Sequence, residues 1–219
     1  MAILDGSIVV TWGCNKWVGA FRGARRSIAK SHAGQQPASL LQYWGLNHES
    51  LSHGAFQPMN PTLESHQAKL HAPFAILGVR TIGERLTGIE YLPRGAATLK
   101  PQTPFAKEVC RQLTAYLEDP NFKFDLPFEY SGTDYQCKVW QTVHKIPPGK
   151  VLSYLQLATR IGSAPRPVGS ACGANRIPIL IPCHRVIASN GIGGFMHARR
   201  GSPIEIKRWL LHHENPGAY

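Results

Sequence analysis

Hydrophobic positions are scattered over residues 1–66 and become periodic from about residue 70. The opening stretch contains SHAGQQPAS (31–39) and NHESLSHGAFQPMNPTLESHQ (47–67), rich in Ser, His, Gln, Asn, Gly and Pro. Such composition cannot bury enough apolar surface to offset ordering, so it predicts a poorly ordered extension, with SIVVTW (7–12) as a short strand. FAILGVRTIGERLTGIEYLP (74–93) predicts two strands joined near Gly83. TPFAKEVCRQLTAYLED (103–119) predicts a helix: Thr103 caps it, Pro104 suits its first turn, and Phe105, Val109, Leu113, Tyr116 and Leu117 recur at helical spacing. PNFKFDLPFEYSGT (120–133) then reads as a connector and strand.

From there the pattern is mostly helical. DYQCKVWQTVHKI (134–146) puts Val139, Trp140, Val143 and Ile146 on one face, and PPGK ends it. SYLQLATRI (153–161) carries Ser153 and Gln156 at capping-box spacing, an inner face of Leu157, Ala158 and Ile161, and a closing Gly162. SAPRPVGSACGAN (163–175) predicts a short helix starting no earlier than its prolines allow. Two short helices around a glycine turn make a helix-turn-helix, NGIGGF (190–195) has the look of a wing, and PIEIKRWLLHHE (203–214) predicts a final helix burying Ile206, Trp209 and Leu210. The expected division is an extension over 1–66, a small α/β domain over 67–131, and a mainly α winged helix-turn-helix domain over 132–219.

Charge sharpens this division. The 219-residue chain has a net charge of +11. From Tyr135 onward, 11 Lys or Arg face two acids, Glu205 and Glu214, so that segment alone carries +9. A basic region confined to one folded part suggests a polyanion, most simply nucleic acid. No apolar run reaches the roughly 18 residues that span a membrane, and the N-terminus lacks a signal-peptide pattern, so a cytoplasmic protein is expected. The five cysteines, 14, 110, 137, 172 and 183, form no Cys-x-x-Cys pair; neither a disulfide framework nor a zinc ribbon is expected. His32, His48, His53, His66 and His71 are too irregularly spaced to read as a metal site, and no cofactor is expected.

The candidate chemistry sits in PILIPCHRV (178–186), where an apolar segment ends in Pro-Cys-His-Arg. A cysteine becomes nucleophilic when positive charge, a helix terminus or a base favours its thiolate. Cys183 has His184 and Arg185 beside it, although neighbours in an extended chain face opposite ways. A structural cysteine in a turn is the commoner occurrence of one thiol. Here it follows directly on a basic helix-turn-helix.

PILIPCHRV, the upstream VGSACGAN (168–175) and the downstream KRWLLHHE (207–214) resemble the O6-alkylguanine-DNA alkyltransferases, also called methylated-DNA–protein-cysteine methyltransferases. The resemblance covers roughly residues 70–215 and is strongest from 132 to 214. It implies a first domain resembling ribonuclease H in shape, matched only in part. It also implies a protein, by default a monomer, that binds duplex DNA in the minor groove, flips the damaged guanine out of the stack and moves its O6-alkyl group, mainly methyl, onto Cys183. Flipping fits the chemistry, because the carbon on O6 cannot be attacked in line within the stack. The resulting thioether is not hydrolysed, so each molecule acts once. By the same resemblance His184 deprotonates Cys183 through a water, Glu214 orients His184, and Asn175 supports the turn around the nucleophile. Tyr154 helps rotate the nucleotide and donates to guanine N3, and Arg166 fills the gap left in the stack. Arg185 braces the active-site turn and Val186 offers a backbone acceptor to the guanine amino group. Ser189 and Phe195 fall in the pocket, and Lys207 fits the basic position before Trp-Leu-Leu.

Three departures stand out. Pro165 and Pro167 flank Arg166, which favours the lip of the helix over its interior. Arg176 stands where the family usually has proline. After Phe195, at a position often held by tyrosine, the family's short Gly-Gly segment is replaced by the longer, more basic MHARRGSP (196–203). Two other activities use similar residues. A lesion-binding relative would recognise DNA without transfer, and a thiol hydrolase using Cys183, His184 and Glu214 would turn over repeatedly. A helix-turn-helix regulator has no need of Pro-Cys-His-Arg.

Overall fold

The structure, a computed structural model, describes residues 65–217 together with four short strands near the N-terminus. Those strands, β1 (Ala2–Leu4), β2 (Ser7–Val9), β3 (Thr11–Trp12) and β4 (Asn15–Lys16), pair as β1–β2 and β3–β4, both antiparallel. Most of the segment expected to be a poorly ordered extension lies outside the described residues.

A three-stranded antiparallel sheet follows, with β6 (Ile76–Ile82) between β5 (Ala68–His71) and β7 (Arg85–Leu92). Gly83 turns between β6 and β7 with φ of 56°, where a residue without Cβ adopts the left-handed conformation most easily. α1 (Pro104–Glu118) starts as its sequence predicts: Thr103 accepts from the Ala106 N–H at 3.0 Å, and Pro104 occupies the first turn. Its buried residues include Val109, Leu113 and Tyr116, on the face expected from the spacing. Residues 120–133 run as an extended connector in which Pro127 accepts from the Leu86 N–H at 2.9 Å.

Three helices come next. α2 (Asp134–His144) opens with a capping box between Thr133 and Gln136, and α3 (Tyr154–Ile161) with the expected one between Ser153 and Gln156. Gly162 ends α3 in a left-handed cap, and α4 (Pro165–Gly173) begins three residues later. The Trp140 indole N–H donates to the Ala171 carbonyl at 2.8 Å, fixing α2 against α4. β8 (Leu152–Ser153) and β9 (Val186–Ile187) form a parallel pair that anchors the start of α3 beside the cysteine segment. α5 (Ser202–Glu214) closes the fold and buries Ile204, Ile206, Leu210 and Leu211. Trp209 is only partly buried; it stacks on His213 at 4.8 Å and meets Phe74 at 4.6 Å. One hydrophobic cluster runs from the sheet through α1 into α2–α5, and the Ile89 N–H of β7 donates to the Arg176 carbonyl at 2.9 Å. A small sheet packed with helices is the architecture the pattern predicted. Among the described residues, no helix is long and apolar enough to cross a membrane.

Candidate active site

The apolar run before Cys183 is a tight buried turn. Ile181 N–H donates to the Ile177 carbonyl at 2.9 Å, and Ile179 within the loop has φ of 76°. A β-branched residue rarely adopts that conformation, so the turn holds strain that its surroundings must overcome. Asn175 supplies the restraint. Its Oδ1 accepts from Ile177 N–H at 3.0 Å and its Nδ2 donates to the Ile181 carbonyl at 2.8 Å, clamping both ends. The same Nδ2 lies 3.2 Å from Cys183 Sγ. The His144 ring nitrogen Nδ1 meets the Leu180 carbonyl at 2.9 Å, so α2 also holds the turn.

Cys183, His184 and Arg185 form a single 3-10 turn and all three are buried. Adjacent residues therefore diverge without extending. The His184 Nε2 donates to Glu214 Oε1 at 2.8 Å, a contact that fixes the proton on Nε2 and leaves Nδ1 as a lone pair. That Nδ1 is buried and makes no hydrogen bond. Burial lowers the His184 pKa against the opposing pull of Glu214, which keeps the ring a neutral base near neutrality.

Glu214, the last residue of α5, has its side chain 1% exposed. It is the most heavily bonded carboxylate of the site. Oε1 accepts from Tyr116 hydroxyl at 2.8 Å, from His184, and from an Arg185 terminal nitrogen at 2.8 Å. Oε2 accepts from Arg185 Nε at 2.9 Å and Gly149 N–H at 3.2 Å. Burial alone would raise its pKa; the hydrogen bonds from His184 and Arg185 and the charge of Arg185 outweigh burial and hold it well below the ordinary carboxylate range.

Burial raises the Cys183 pKa, while Asn175 and the charge of Lys207 pull it back. Lys207 is fully buried. Its Nζ donates to the Val186 carbonyl at 2.6 Å and the Gly194 carbonyl at 2.9 Å, and lies 5.7 Å from the Tyr154 ring centroid. Burial lowers its pKa to about 8. The sequence marked Lys207 only as a basic position; its seat within α5, one turn after Ile204 and on the face shared with Leu210 and Leu211, was the available signal that it points inward.

Cys183 lines a cavity of about 370 Å3, a size typical of small-molecule sites. Tyr154 and Phe195 line it as well, and Arg166 stands at its edge. Tyr154 donates its hydroxyl to the Gly194 carbonyl at 3.0 Å. Arg166 is exposed in the first turn of α4, where the missing N–H groups of Pro165 and Pro167 cost nothing; it lies within the helix but at its lip. Cys172, a free thiol, also lines the cavity. Two expected site residues stand outside the cavity. Arg185, expected to brace the active-site turn, is 7% exposed and committed to Glu214 and the Ile146 carbonyl, so its guanidinium positions the carboxylate. Ser189 is exposed and does not line the cavity. Val186 is buried beside the site with its carbonyl bonded to Lys207; a second lone pair remains on that oxygen. Among the described residues, no group of three or more His, Cys, Asp or Glu is placed to hold a metal ion.

Comparison with known proteins places this geometry. Residues 134–216 match the family model of the 6-O-methylguanine DNA methyltransferase DNA-binding domain. The constitutive methylated-DNA–protein-cysteine methyltransferase of Bacillus subtilis is 41% identical over 115 residues, covering 52% of this chain and 68% of that one. The chain belongs to the O6-methylguanine DNA methyltransferase family.

A Saccharolobus solfataricus methylated-DNA–protein-cysteine methyltransferase is also 41% identical, over 48% of this chain and 66% of its own length. The crystal structure of a Mycobacterium tuberculosis O6-methylguanine methyltransferase superposes with a TM-score of 0.58 at 33% identity, covering 69% of this chain and 93% of that one. A structure of the M. tuberculosis protein in complex with DNA gives a TM-score of 0.56 at 35% identity, over 68% and 91% of the two chains. Against the family's pattern, the buried Cys-His-Arg turn, Asn175 and Glu214 converge on one point although Asn175 and Glu214 are far apart in sequence.

Proposed function

We propose that this protein repairs O6-alkylguanine in duplex DNA by moving the alkyl group, mainly methyl, onto Cys183 in one irreversible event. The observation that carries this reading is the split state of His184, with Nε2 bound to Glu214 and Nδ1 free beside the Cys183 turn. A histidine held in that tautomer is a general base awaiting a proton.

In this reading the Cys183 thiol passes its proton, through a bridging water, to His184 Nδ1. The thiolate attacks the carbon on O6. A C–S bond forms as the C–O bond breaks, and the electron pair stays with the guanine. Tyr154 donates a hydrogen bond to guanine N3 as charge develops, and the departing base recovers the proton that left Cys183. Glu214 stabilises the transient imidazolium, and Arg185 holds Glu214. The Val186 carbonyl accepts from the guanine amino group. The thioether has no leaving group comparable to the purine, so the protein is consumed.

α3 and α4 act as the helix-turn-helix, with residues 190–195 as the wing, and Arg166 at the exposed start of α4 enters the space vacated by the flipped base. Residues 67–131 form the small α/β domain, of ribonuclease H-like shape, and 132–219 the winged domain. The chain works as a cytoplasmic monomer. Incubation with a duplex carrying one O6-methylguanine should add a single methyl to the intact mass, mapped to Cys183 and absent in Cys183→Ala. Repeated turnover would instead indicate a hydrolase, and tight lesion binding without mass change a recognition module.

A further inference from the structure

The sheet reaches the Cys183 turn as well as the helices do. The Ile89 N–H of β7 donates to the Arg176 carbonyl at 2.9 Å, next to Asn175. Tyr91, two residues further along β7, lies on the same face of the strand as the buried Ile89 and pairs in register with the fully buried Leu77. Its ring meets Phe74 at 5.9 Å and Phe195 at 6.0 Å, and Phe195 lines the Cys183 cavity. Its hydroxyl oxygen is buried and has no hydrogen-bond partner. Burial raises the Tyr91 pKa well above the tyrosine norm, and Cys183 and then Tyr116 add to the rise, so the hydroxyl is within electrostatic reach of the thiol and of the phenol that bonds Glu214.

Among the described residues, three buried side-chain polar atoms have no hydrogen-bond partner: Arg80 Nε, Tyr91 Oη and His184 Nδ1. The first belongs to the Arg80–Glu90 pair, on the opposite face of the sheet. The other two both face the Cys183 turn. Buried polar groups are seldom left in this state without a functional reason. The remaining donors around the site are committed: Tyr116 to Glu214, Tyr154 to the Gly194 carbonyl, Lys207 to the Val186 and Gly194 carbonyls, and Arg185 to Glu214 and the Ile146 carbonyl. Tyr91 is the phenol with a hydrogen still to place.

Resting on the alkyl-transfer reading above, we propose that Tyr91 is a positioning residue whose hydroxyl holds the relay water between Cys183 Sγ and His184 Nδ1. The water accepts from the Cys183 S–H and from the Tyr91 O–H, and donates one hydrogen to Nδ1. With both its lone pairs engaged, that hydrogen is aimed at the base. As the thiol proton moves to the water, the water's own proton moves to Nδ1, and Tyr91 keeps its proton throughout. A buried phenol suits this task because it stays a donor and does not compete with His184 for the proton.

Tyr91→Phe removes the hydroxyl and keeps the ring on Phe74 and Phe195. The test is single-turnover methyl transfer from a duplex carrying O6-methylguanine, at saturating protein, from about pH 6.5 to about pH 10, which brackets cysteine ionisation. Near neutrality Tyr91→Phe should transfer at least about tenfold more slowly. The deficit should shrink toward the alkaline end, where solvent hydroxide removes the thiol proton without the relay. In a His184→Gln background Tyr91→Phe should cost less than about twofold, because both residues act on one water. The pH profile decides the matter alone if His184→Gln does not fold. Methyl transfer by the wild type, with Tyr91→Phe within about twofold of it at every pH or slower by the same factor at every pH, overturns this inference alone. No transfer to Cys183 of the wild type overturns the alkyl-transfer reading, and this inference with it.

Discussion

Glu214→Gln changes one atom and removes one charge, and in the proposed mechanism that charge has two separate duties. The first is structural. The Arg185 side chain is 8% exposed, and its only carboxylate partner among the described residues is Glu214, contacted through Nε and a terminal nitrogen. Removing one member of a buried ion pair leaves the other uncompensated, at a cost of about 3–5 kcal/mol. The substituted amide also turns two donor hydrogens toward a cluster already made of donors: Tyr116, His184, Arg185 and Gly149. For a chain of this length the melting temperature should fall by roughly 6–20 °C.

The second duty is chemical. Glutamine can still accept from His184 Nε2, but it no longer offsets the charge of the imidazolium formed when Nδ1 takes a proton. The single-turnover rate should drop by about 10²–10⁴. Both effects have a defined pH dependence. Glu214 has a folded pKa below its unfolded value, so its contribution is present above the unfolded carboxylate pKa and disappears as pH falls through the folded one. The stability gap between wild type and Glu214→Gln, from urea unfolding, should therefore be constant from about pH 7 to about pH 5 and narrow as the pH falls further toward about 3. A melting temperature within about 2 °C of wild type, with transfer within about threefold, would refute both assignments.

Two further perturbations probe the groups on either side of the thiol. Lys207→Met leaves the buried Val186 carbonyl without its side-chain donor and the Gly194 carbonyl with Tyr154 alone of its two, so the variant should be less stable by about 1–3 kcal/mol near neutrality. Because the Lys207 pKa falls to about 8 on folding, the unfolded chain binds more protons between that value and the lysine norm; wild-type stability relative to Lys207→Met should rise across that interval, by up to about 3 kcal/mol, measured by urea unfolding at several pH values. Asn175→Ala removes both clamps on the strained Ile177–Ile181 turn and the contact on Cys183 Sγ. Alkylation of Cys183 by iodoacetamide should then shift to higher pH, and an unshifted profile would show that Asn175 does not stabilise the thiolate.

What the sequence made legible was local. Thr103 before Pro104, Ser153 three residues before Gln156, and Gly162 after Ile161 are signals whose partners lie within one turn, and each works as its chemistry predicts. Helical spacing likewise identified Val139, Trp140, Val143 and Ile146 as inward-facing. The strand Ala68–His71 was missed because four residues with one lysine and one histidine carry too little alternation to register. At the site, resemblance named Cys183, His184, Asn175 and Glu214, and they do converge. It could not show that Tyr116, 98 residues from Glu214, closes the carboxylate's shell, or that Gly149 adds a backbone donor. For Arg185 the resemblance implied a brace on the active-site turn; it could not show that the main acceptor is the Glu214 carboxylate, with the Ile146 carbonyl beside it.

The balance around Cys183 bears on why a consumable protein is built this way. Thiolates are the reactive form, toward oxidants and adventitious alkylating agents as well as toward the lesion. A hydrolase that loses a proton early loses nothing, but a protein that acts once loses its function. Burial holds the Cys183 pKa up, and Asn175 and Lys207 only partly oppose it, so the resting state is a thiol. The base is present but also restrained, since burial keeps His184 neutral while Glu214 stands ready to stabilise its charge. Deprotonation then becomes favourable at the moment an electrophilic carbon occupies the cavity and the charge leaving sulfur can move onto the guanine. The network of Tyr116, Arg185 and Gly149 around Glu214 serves that timing by keeping a carboxylate ionised, dry and fixed before any substrate arrives.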